Sequence, residues 1–294
     1  MKDFWLGAFA AIAVMLAPVC AFSSDSYGRL SVMSMNVHGL PWPITRDPEG
    51  RMAAIAGEIE RRQPDVVFLQ EVWSSAMLGV ITSHIQPPYQ VLFASGRVGP
   101  KGGLVILLKK ADGWVVSQTP DFEAYRKKAP KWKVWQGDGI AGKGFLTVKL
   151  DVWGRKIFIV DTHLQSQYGG DDYTDIRLDQ LEQLREEIKP LTFLPVLIAG
   201  DFNTDSRDAG ESKTYQAVTA IGADLTKQFR DQCQCGTTFD TPSQWIDYIL
   251  TAYEGPWQPD PKIELIQNKG TDNPFSDHQG LVATLALPDL KTAQ

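Results

Sequence analysis

The amino-acid sequence predicts an α/β protein in which two packed β-sheets carry helices on their outer faces. Its composition is that of a globular chain, since 43% of the 294 residues are hydrophobic and 22% are charged. Strand-like runs outnumber helical patterns, and several strands follow one another directly. That order suits neither a barrel nor a single doubly wound sheet, in which strands and helices alternate regularly.

Apolar runs rich in branched and aromatic residues mark the predicted strands. These runs span residues 30–36, 65–70, 89–94, 103–109, 144–150, 156–162, 194–199, 246–251, 262–267 and 280–286. Helical spacing of apolar residues is clearest at 51–62 and 173–188. Because no repeat or flexible linker divides residues 25–290, we expect one domain over that range.

The N-terminal segment 1–21 is predicted to be a secretory signal peptide. Residues 4–22 carry no charge, and the small residues before the end of this run predict cleavage after Ala21. Two alternatives remain, an uncleaved membrane anchor and a lipoprotein cleavage before Cys20. No later run is apolar over the length of a bilayer, so we expect a secreted or periplasmic protein.

Net charge and cysteine content make two other classes of protein less favourable. The formal net charge of −6 gives no general attraction to polyanions, which disfavours nucleic acid as a partner. Beyond the signal peptide the cysteines are Cys233 and Cys235, and no nearby histidine would complete a zinc site. We expect either a local disulfide or two free thiols at these positions.

Polar side chains follow the apolar runs at six places along the chain. Most have an ordinary structural explanation when taken singly, because Asn and Asp favour turns and a lone histidine is often structural. Asp247 differs, since a carboxylate inside an apolar strand is rarely buried without a partner, and His278 is a candidate donor. The six places are Asn36, Gln70 with Glu71, His163, Asp201 with Asn203, Asp247, and Asp277 with His278.

If these strand ends meet, their carboxylates would repel one another strongly unless cations or protonated histidines lay among them. We therefore predict a bound divalent metal. Oxygen-rich ligands with few histidines and no thiolate favour Mg²⁺, with Mn²⁺ as the alternative, over Zn²⁺. Because such a metal commonly holds phosphate oxygens, the predicted chemistry is cleavage of a phosphoester.

In order and spacing, these motifs resemble the endonuclease/exonuclease/phosphatase superfamily, typified by DNase I. The similarity spans residues 30–286, and within the superfamily it is greatest to the secreted bacterial neutral sphingomyelinases. The resemblance implies a DNase I-like four-layer sandwich, two mixed sheets face to face with helices on both sides. The motifs are MNVHGL at 35–40, QE at 70–71, DTHLQS at 161–166, GDFN at 200–203, IDYIL at 246–250, SDH at 276–278 and GDGIAGKGFLTVKLDV at 137–152.

The resemblance also implies a metal site. Glu71, with Asn36 and Asp277, would hold Mg²⁺ against a phosphate oxygen. These three residues are therefore our predicted metal ligands.

Catalytic roles follow from the same resemblance. His278, oriented by Asp247, would take a proton from the attacking water. Asp201 would orient that water or the histidine, and Asn203 would donate a hydrogen bond to the phosphate. His163 would stabilise the transition state or protonate the leaving oxygen. Which histidine is the acid and which the base stays open.

A basic and aromatic stretch at 122–135 suggests how a lipid substrate would be reached. It interleaves Tyr125, Trp132 and Trp135 with lysines and an arginine, which is typical of surfaces that meet phospholipid headgroups. Trp257 offers a second anchor. A solvated basic loop is the structural alternative, and the same stretch could follow DNA phosphates.

The predicted function is a secreted Mg²⁺-dependent phosphodiesterase that most resembles a sphingomyelinase. Three alternatives stay open. The first is a secreted nuclease on the same scaffold. The second is a phosphoinositide phosphatase, which the run at 245–250 partly resembles. The third is a binding protein that has kept the fold without turnover.

Overall fold

The computed structural model describes most of the chain beyond the N-terminal segment. The described residues are 29–86, 89–111, 113–130, 142–152, 154–168, 170–233, 236–240, 243–253, 261–267 and 274–286. The predicted signal peptide and the predicted membrane contacts Trp132, Trp135 and Trp257 lie outside these ranges. Across the described ranges, no helix has the length and apolar character needed to cross a membrane.

Two mixed β-sheets form the centre of the molecule. The strands of the first are β1 (Arg29–Asn36), β2 (Val66–Gln70), β3 (Tyr89–Leu92), β4 (Val105–Lys109), β14 (Lys262–Ile266) and β15 (Gly280–Ala286). Their order across the sheet is β14-β15-β1-β2-β4-β3. The β1–β2 pair is parallel, whereas the other neighbours are antiparallel.

The second sheet has the order β10-β13-β9-β8-β7-β5, with β6 also paired to β7. Its parallel pair is β8–β9. A short hairpin, β11 with β12, stands apart from both sheets. These strands are β5 (Trp114–Val116), β6 (Asp121–Ala124), β7 (Gly144–Val152), β8 (Arg155–His163), β9 (Val196–Asp201), β10 (Ala223–Asp224), β11 (Phe239–Asp240), β12 (Ser243–Gln244) and β13 (Asp247–Ala252).

Helices flank the sheets. Helix α1 begins where Asp47 accepts a hydrogen bond from the backbone of Gly50 and Pro48 takes the first helical position. Its apolar face packs with that of α2 against the first sheet, and α3 and α4 pack against the second. The helices are α1 (Pro48–Arg62), α2 (Ser75–Ser83), α3 (Thr174–Ile188), α4 (Ser212–Thr219) and α5 (Lys227–Gln232).

This architecture confirms the predicted fold class of two packed mixed sheets with helices outside. Each predicted strand has a counterpart within a few residues, and the predicted helices correspond to α1 and α3. The sequence analysis did not give bounds for the short strands β5, β6 and β10 to β12 or for the helices α2, α4 and α5.

The core between the sheets becomes polar at one edge. Side chains of a strand alternate between its two faces, so Asn36 lies on the same face as Val32, and His163 on the same face as Ile159. Both apolar residues belong to the core between the sheets. Asp201 is the register partner of His163 in the β8–β9 pair. Strands of both sheets therefore end with inward-facing polar side chains at the same edge.

Candidate active site

Asn36 and Glu71 connect the two sheets at this edge. The side-chain amide of Asn36 donates to Glu71 Oε1 at 3.1 Å and to Asp201 Oδ2 at 3.0 Å. Its carbonyl oxygen accepts from the backbone of His38 at 2.9 Å, which fixes the amide orientation. Glu71 also accepts from Trp73 Nε1 at 3.2 Å. Asn36 therefore lies next to Glu71, and its side-chain amide positions the Glu71 carboxylate by donating a hydrogen bond to it.

The end of β9 has a backbone that only glycine fits. Gly200 has φ near 150°, and a Cβ there would lie 2.0 Å from the carbonyl oxygen of Thr162 on the neighbouring strand. Asp201 follows and accepts from the backbone of Asn203 at 2.9 Å. Phe202 between them is buried and packs edge-on against Tyr248, with ring centroids 5.5 Å apart. The strand end therefore directs one side chain into the core and two towards the site.

Asn203 adopts a left-handed backbone conformation, with φ near 47°. Its amide nitrogen donates to the carbonyl oxygen of Leu164 at 3.0 Å. An amide has two donor hydrogens, so the second is available for a ligand. The predicted role of Asn203 as a phosphate donor stays a prediction.

His278 and Asp247 form a buried pair. Nδ1 of His278 lies 2.9 Å from Asp247 Oδ2, and its Nε2 lies 3.7 Å from Asp201 Oδ2. Burial would lower the pKa of His278, but the carboxylates of Asp247, Asp201 and Asp277 outweigh it and raise the pKa to about 10. Burial also raises the pKa of Asp247, to about 6. The partner that Asp247 requires is therefore His278, as its position inside an apolar strand suggested.

His163 contacts both Asp201 at the end of β9 and Lys143, which precedes β7. Nε2 of His163 is 3.2 Å from Asp201 Oδ2, 3.9 Å from Glu71 Oε1 and 2.5 Å from Lys143 Nζ. Burial would raise the pKa of Asp201, but the charges of His163 and His278 hold it below its usual range. Asp201 is thus an ionised carboxylate between two imidazoles.

Asp277 belongs to a more open part of the site. Its side chain is 40% exposed and lies 3.1 Å from Nδ1 of His38. Burial of its carboxylate is outweighed by His38 and His278, which hold the pKa of Asp277 below its ordinary value. Arg51 reaches this region from α1, donating to the carbonyl oxygens of Phe275 at 3.1 Å and His38 at 3.3 Å. Arg51 thereby joins the two loops that carry the His38–Asp277 pair.

The donor chemistry at this edge fits a hard divalent cation. Glu71 and Asp277 supply partly exposed carboxylates, and carboxylate oxygens are the ligands that Mg²⁺ prefers. Asp201, Asp247 and His278 also offer three atoms within 4.8 Å of one another. In that group Nδ1 of His278 is already hydrogen bonded to Asp247, so a cation bound through Nδ1 would have to break the pair. That Glu71, Asn36 and Asp277 hold the metal stays a prediction.

The prediction that Tyr125 contacts a membrane is wrong. Its side chain is only 1% exposed, and its hydroxyl is 2.6 Å from that of Thr162 on β8. The ring packs edge-on against Phe145 with centroids 5.6 Å apart. A tyrosine that fills the core of the second sheet is unable to meet lipid headgroups, even though basic residues flank it in the sequence.

Three polar residues near the site were absent from the predicted set. Lys143 precedes β7, and the run Gly142-Lys143-Gly144 was the signal that could have identified it. Arg51 lies within an ordinary helical pattern, which hides it. Asp161 accepts from Gln70 Nε2 at 2.7 Å between the sheets, and burial raises its pKa well above the ordinary value.

Comparison with known proteins identifies relatives of two kinds. A Schizosaccharomyces pombe inositol phosphosphingolipids phospholipase C is 29% identical over 213 residues, 68% of this chain and 46% of that protein. Sphingomyelinase C of Bacillus cereus is 22% identical over 314 residues, covering 90% of this chain and 91% of that protein. The match spans less than half the length of the Schizosaccharomyces pombe phospholipase C. It spans 40% of the length of a putative neutral sphingomyelinase of Drosophila melanogaster.

The fold likewise has solved counterparts. The structure of D. rerio TDP2 complexed with a single strand DNA product superposes with a TM-score of 0.67 at 22% identity. The match covers 87% of this chain and 98% of that one. At this level of identity, the likeness establishes the DNase I-like fold alone.

The family assignment rests on a match to the family as a whole. Residues 33–278, which carry the predicted motifs from Asn36 to His278, match the Endonuclease/Exonuclease/phosphatase family. The resemblance predicted from the sequence is confirmed. The chain therefore belongs to the Endonuclease/Exonuclease/phosphatase family, a family of divalent-metal-dependent phosphoric ester hydrolases.

Proposed function

We propose that the protein is a secreted, Mg²⁺-dependent phosphodiesterase that hydrolyses a sphingomyelin-type phospholipid. The observation that carries the chemistry is the meeting of Glu71, Asp201 and the Asp247–His278 pair at one edge of the inter-sheet core. Support for the lipid class comes from sphingomyelinase C of Bacillus cereus, which the chain matches over nine tenths of both lengths.

Glu71, with Asn36 and Asp277, is the group that we assign to the metal. Bound Mg²⁺ would polarise a phosphoryl oxygen and offset the negative charge of the surrounding carboxylates. Asn36 holds the Glu71 carboxylate in place through its 3.1 Å hydrogen bond. The His38–Asp277 contact restrains the second carboxylate in the same region.

His278 and Asp201 supply the proton chemistry. Asp247 holds the imidazole at Nδ1, so Nε2 is the atom that exchanges a proton with water or the leaving oxygen. Asp201 lies 3.7 Å from this nitrogen and orients it. As an imidazolium His278 donates a proton, and as a neutral imidazole it accepts one, so its pKa in the loaded site decides its role.

Lys143 supplies positive charge beside His163. Their nitrogens meet at 2.5 Å on the far side of Asp201, and both side chains are buried. Fixed donors in a site of low polarity stabilise the negative charge that develops on phosphoryl oxygens. The second amide hydrogen of Asn203 would orient the phosphate.

Export is part of the same proposal. The uncharged run at residues 4–22 supports a signal peptide. Cys233 is disulfide-bonded, which suits an oxidising compartment outside the cytosol. The protein should therefore be recovered from the periplasm or the culture medium, with an N-terminus at residue 22 that sequencing would reveal. An intact N-terminus in a membrane fraction would refute the cleavage.

One experiment tests the proposed activity. The purified protein is assayed with Mg²⁺ or with EDTA against sphingomyelin vesicles, duplex DNA and a phosphoinositide. We expect release of phosphocholine that EDTA abolishes. Cleavage of the phosphoinositide alone would indicate a phosphatase. Absence of turnover on all three substrates would indicate a binding protein.

The second candidate is a Mg²⁺-dependent nuclease on the same scaffold. The structural similarity to TDP2 with bound DNA product favours it, although at 22% identity that similarity concerns the fold. The net charge of −6 opposes it, because phosphate backbones are held mainly by basic side chains. Cleavage of DNA without hydrolysis of sphingomyelin would establish the nuclease and refute the lipid substrate.

A further inference from the structure

Large apolar side chains are exposed to solvent beside the candidate site. Trp42 is 75% exposed and Ile44 is 67% exposed. Both belong to the loop of residues 37–47, which starts directly after Asn36 and contains His38. Single exposed apolar residues are common, but neighbouring ones next to a cleft mark a surface that binds something.

The loop of residues 37–47 is held in place at several points. Gly39 donates to the backbone oxygen of Glu71 at 3.1 Å, and Ile44 donates to that of Pro41 at 2.9 Å. The buried hydroxyl of Thr45 donates to the carbonyl oxygen of Leu40. Trp42 and Ile44 thus belong to a turn whose backbone is hydrogen bonded to the site. The fold itself therefore holds their side chains in solvent.

A second loop, residues 95–101, adds to the same region. Its Val98 is 71% exposed, and the backbone oxygen of Val98 accepts from the backbone of Ser75 at 3.2 Å. Gly99 packs so closely on Ser74 that a Cβ would lie 2.8 Å from its Cα. Both loops therefore contact the segment 71–77, which begins with the predicted metal ligand Glu71.

These two loops hold most of the large exposed apolar side chains in the described part of the chain. Trp42, Ile44 and Val98 belong to them, whereas Val115 and Phe193 lie elsewhere. Phe193 comes just before β9 begins, so it lies at the opposite edge of the second sheet from Asp201. The apolar exposure is concentrated on the side where the site opens.

Exposed cations accompany the apolar residues. Arg46 lies next to Asp47 near the end of the first loop, and Arg97 and Lys101 lie on either side of Val98 in the second. Tryptophan and aliphatic side chains settle at the boundary between lipid headgroups and chains, while arginine and lysine meet the phosphates. This combination favours a phospholipid surface, because its phosphates complement the three cations while its interface accepts the apolar side chains.

We propose that the loops of residues 37–47 and 95–101 form the surface through which the enzyme binds a phospholipid bilayer. Trp42, Ile44 and Val98 enter the interface, and the partly exposed His38 and Asp277 face the lipid headgroups. The inference rests on the proposed lipid hydrolase function. It also replaces the predicted membrane contact at Tyr125, whose side chain is buried, with contacts on these two loops.

Vesicle binding and turnover of a soluble substrate test the proposal separately. The variant Trp42→Ser/Ile44→Ser is compared with Phe193→Ser, which removes a 61% exposed aromatic ring far from the site. Binding to sphingomyelin vesicles is measured by flotation in EDTA, so that hydrolysis is not needed. Turnover is measured with Mg²⁺ on vesicles and on water-soluble p-nitrophenyl phosphocholine.

We expect the double variant to bind vesicles about 30-fold more weakly, because two large apolar side chains no longer leave water. Its turnover on dilute vesicles should fall in proportion, while turnover of the soluble diester stays unchanged. Phe193→Ser should match wild type in both assays. A separate Val98→Ser variant should weaken vesicle binding by a smaller factor, which tests the second loop.

Several outcomes would overturn the docking surface. Unchanged vesicle binding in the double variant would refute it, as would an equal loss on vesicles and on the soluble diester. Loss of a wild-type dimer in the double variant would show that a second copy covers these loops. If wild type hydrolyses no phosphodiester but the double variant still loses vesicle binding, the proposed function fails and the docking surface stands.

Discussion

The protonation of His278 gives the sharpest prediction. Its imidazole is buried, 2.9 Å from the Asp247 carboxylate and 3.7 Å from that of Asp201. Burial favours the neutral ring, but the carboxylates prevail and raise the pKa from 6.5 to about 10. In the metal-free protein, the native state therefore keeps a proton that the unfolded chain releases near pH 6.5.

The difference in the pKa of His278 between the native and unfolded states determines how the stability changes with pH. A raised histidine pKa stabilises the native state fully below pH 6.5, and the stabilisation is lost as the pH rises to about 10. At about 1.4 kcal/mol per pKa unit, the loss amounts to about 5 kcal/mol across this window. A charge pair at 2.9 Å in an effective dielectric constant of about 20 gives an attraction of the same order, about 6 kcal/mol.

Urea unfolding in EDTA at several pH values between 6.5 and 10 measures the effect. The free energy of unfolding of wild type minus that of His278→Gln should fall by about 5 kcal/mol over this window. Subtracting the variant removes the contributions of groups that do not interact with His278, such as Asp161. The control His84→Gln removes an exposed histidine at the C-terminal cap of α2 and should track wild type. A difference that stays constant from pH 6.5 to 10 would refute the reasoning.

The same titration decides the catalytic role of His278. Bound Mg²⁺ adds positive charge, which lowers the pKa of a neighbouring imidazolium. If the NMR titration of His278 moves towards neutral pH when Mg²⁺ is added, the ring can serve as the base. If it stays near 10, His278 is the acid, and the water must be activated elsewhere.

Three further substitutions test the remaining assignments. Glu71→Gln should lower turnover by roughly 1,000-fold or more and remove its Mg²⁺ dependence without changing the unfolding transition; near-normal activity would show that the metal site is misassigned. Lys143→Met should lower kcat about 100-fold through lost charge stabilisation, and an effect on KM alone would contradict that role. Tyr125→Phe should lower the free energy of unfolding by about 1 kcal/mol, because the Thr162 hydrogen bond is lost, and leave vesicle binding unchanged; weaker vesicle binding would contradict its burial.

Much of the fold was predictable because its main strands are apolar and bounded by polar or turn-forming residues. The strands that were missed, β5, β6 and β10 to β12, have four residues or fewer. Over so few residues, alternation between polar and apolar side chains carries little information. Their pairing depends on the edge of a sheet that longer strands have already formed.

The chemistry-bearing residues were also largely predictable, because each follows a recognisable apolar run. Asn36, Glu71, His163, Asp201, Asp247 and His278 were chosen from sequence, and the structure brings them together. Their catalytic and metal-binding roles stay predictions. Lys143 was missed because an isolated lysine is usually solvated, and only packing shows that it is buried against His163.

The fold class, the family, the polar residues at the strand ends and the pairing of His278 with Asp247 were all predictable, because they depend on local periodicity and motif order. Three-dimensional packing was needed to show that Tyr125 faces the core while Trp42 faces water, and that Asp201 adds to the raised pKa of His278. Burial and electrostatic interaction depend on distances between residues that are remote in sequence. Asn36 and Asp201, for example, are 165 positions apart yet lie 3.0 Å from each other.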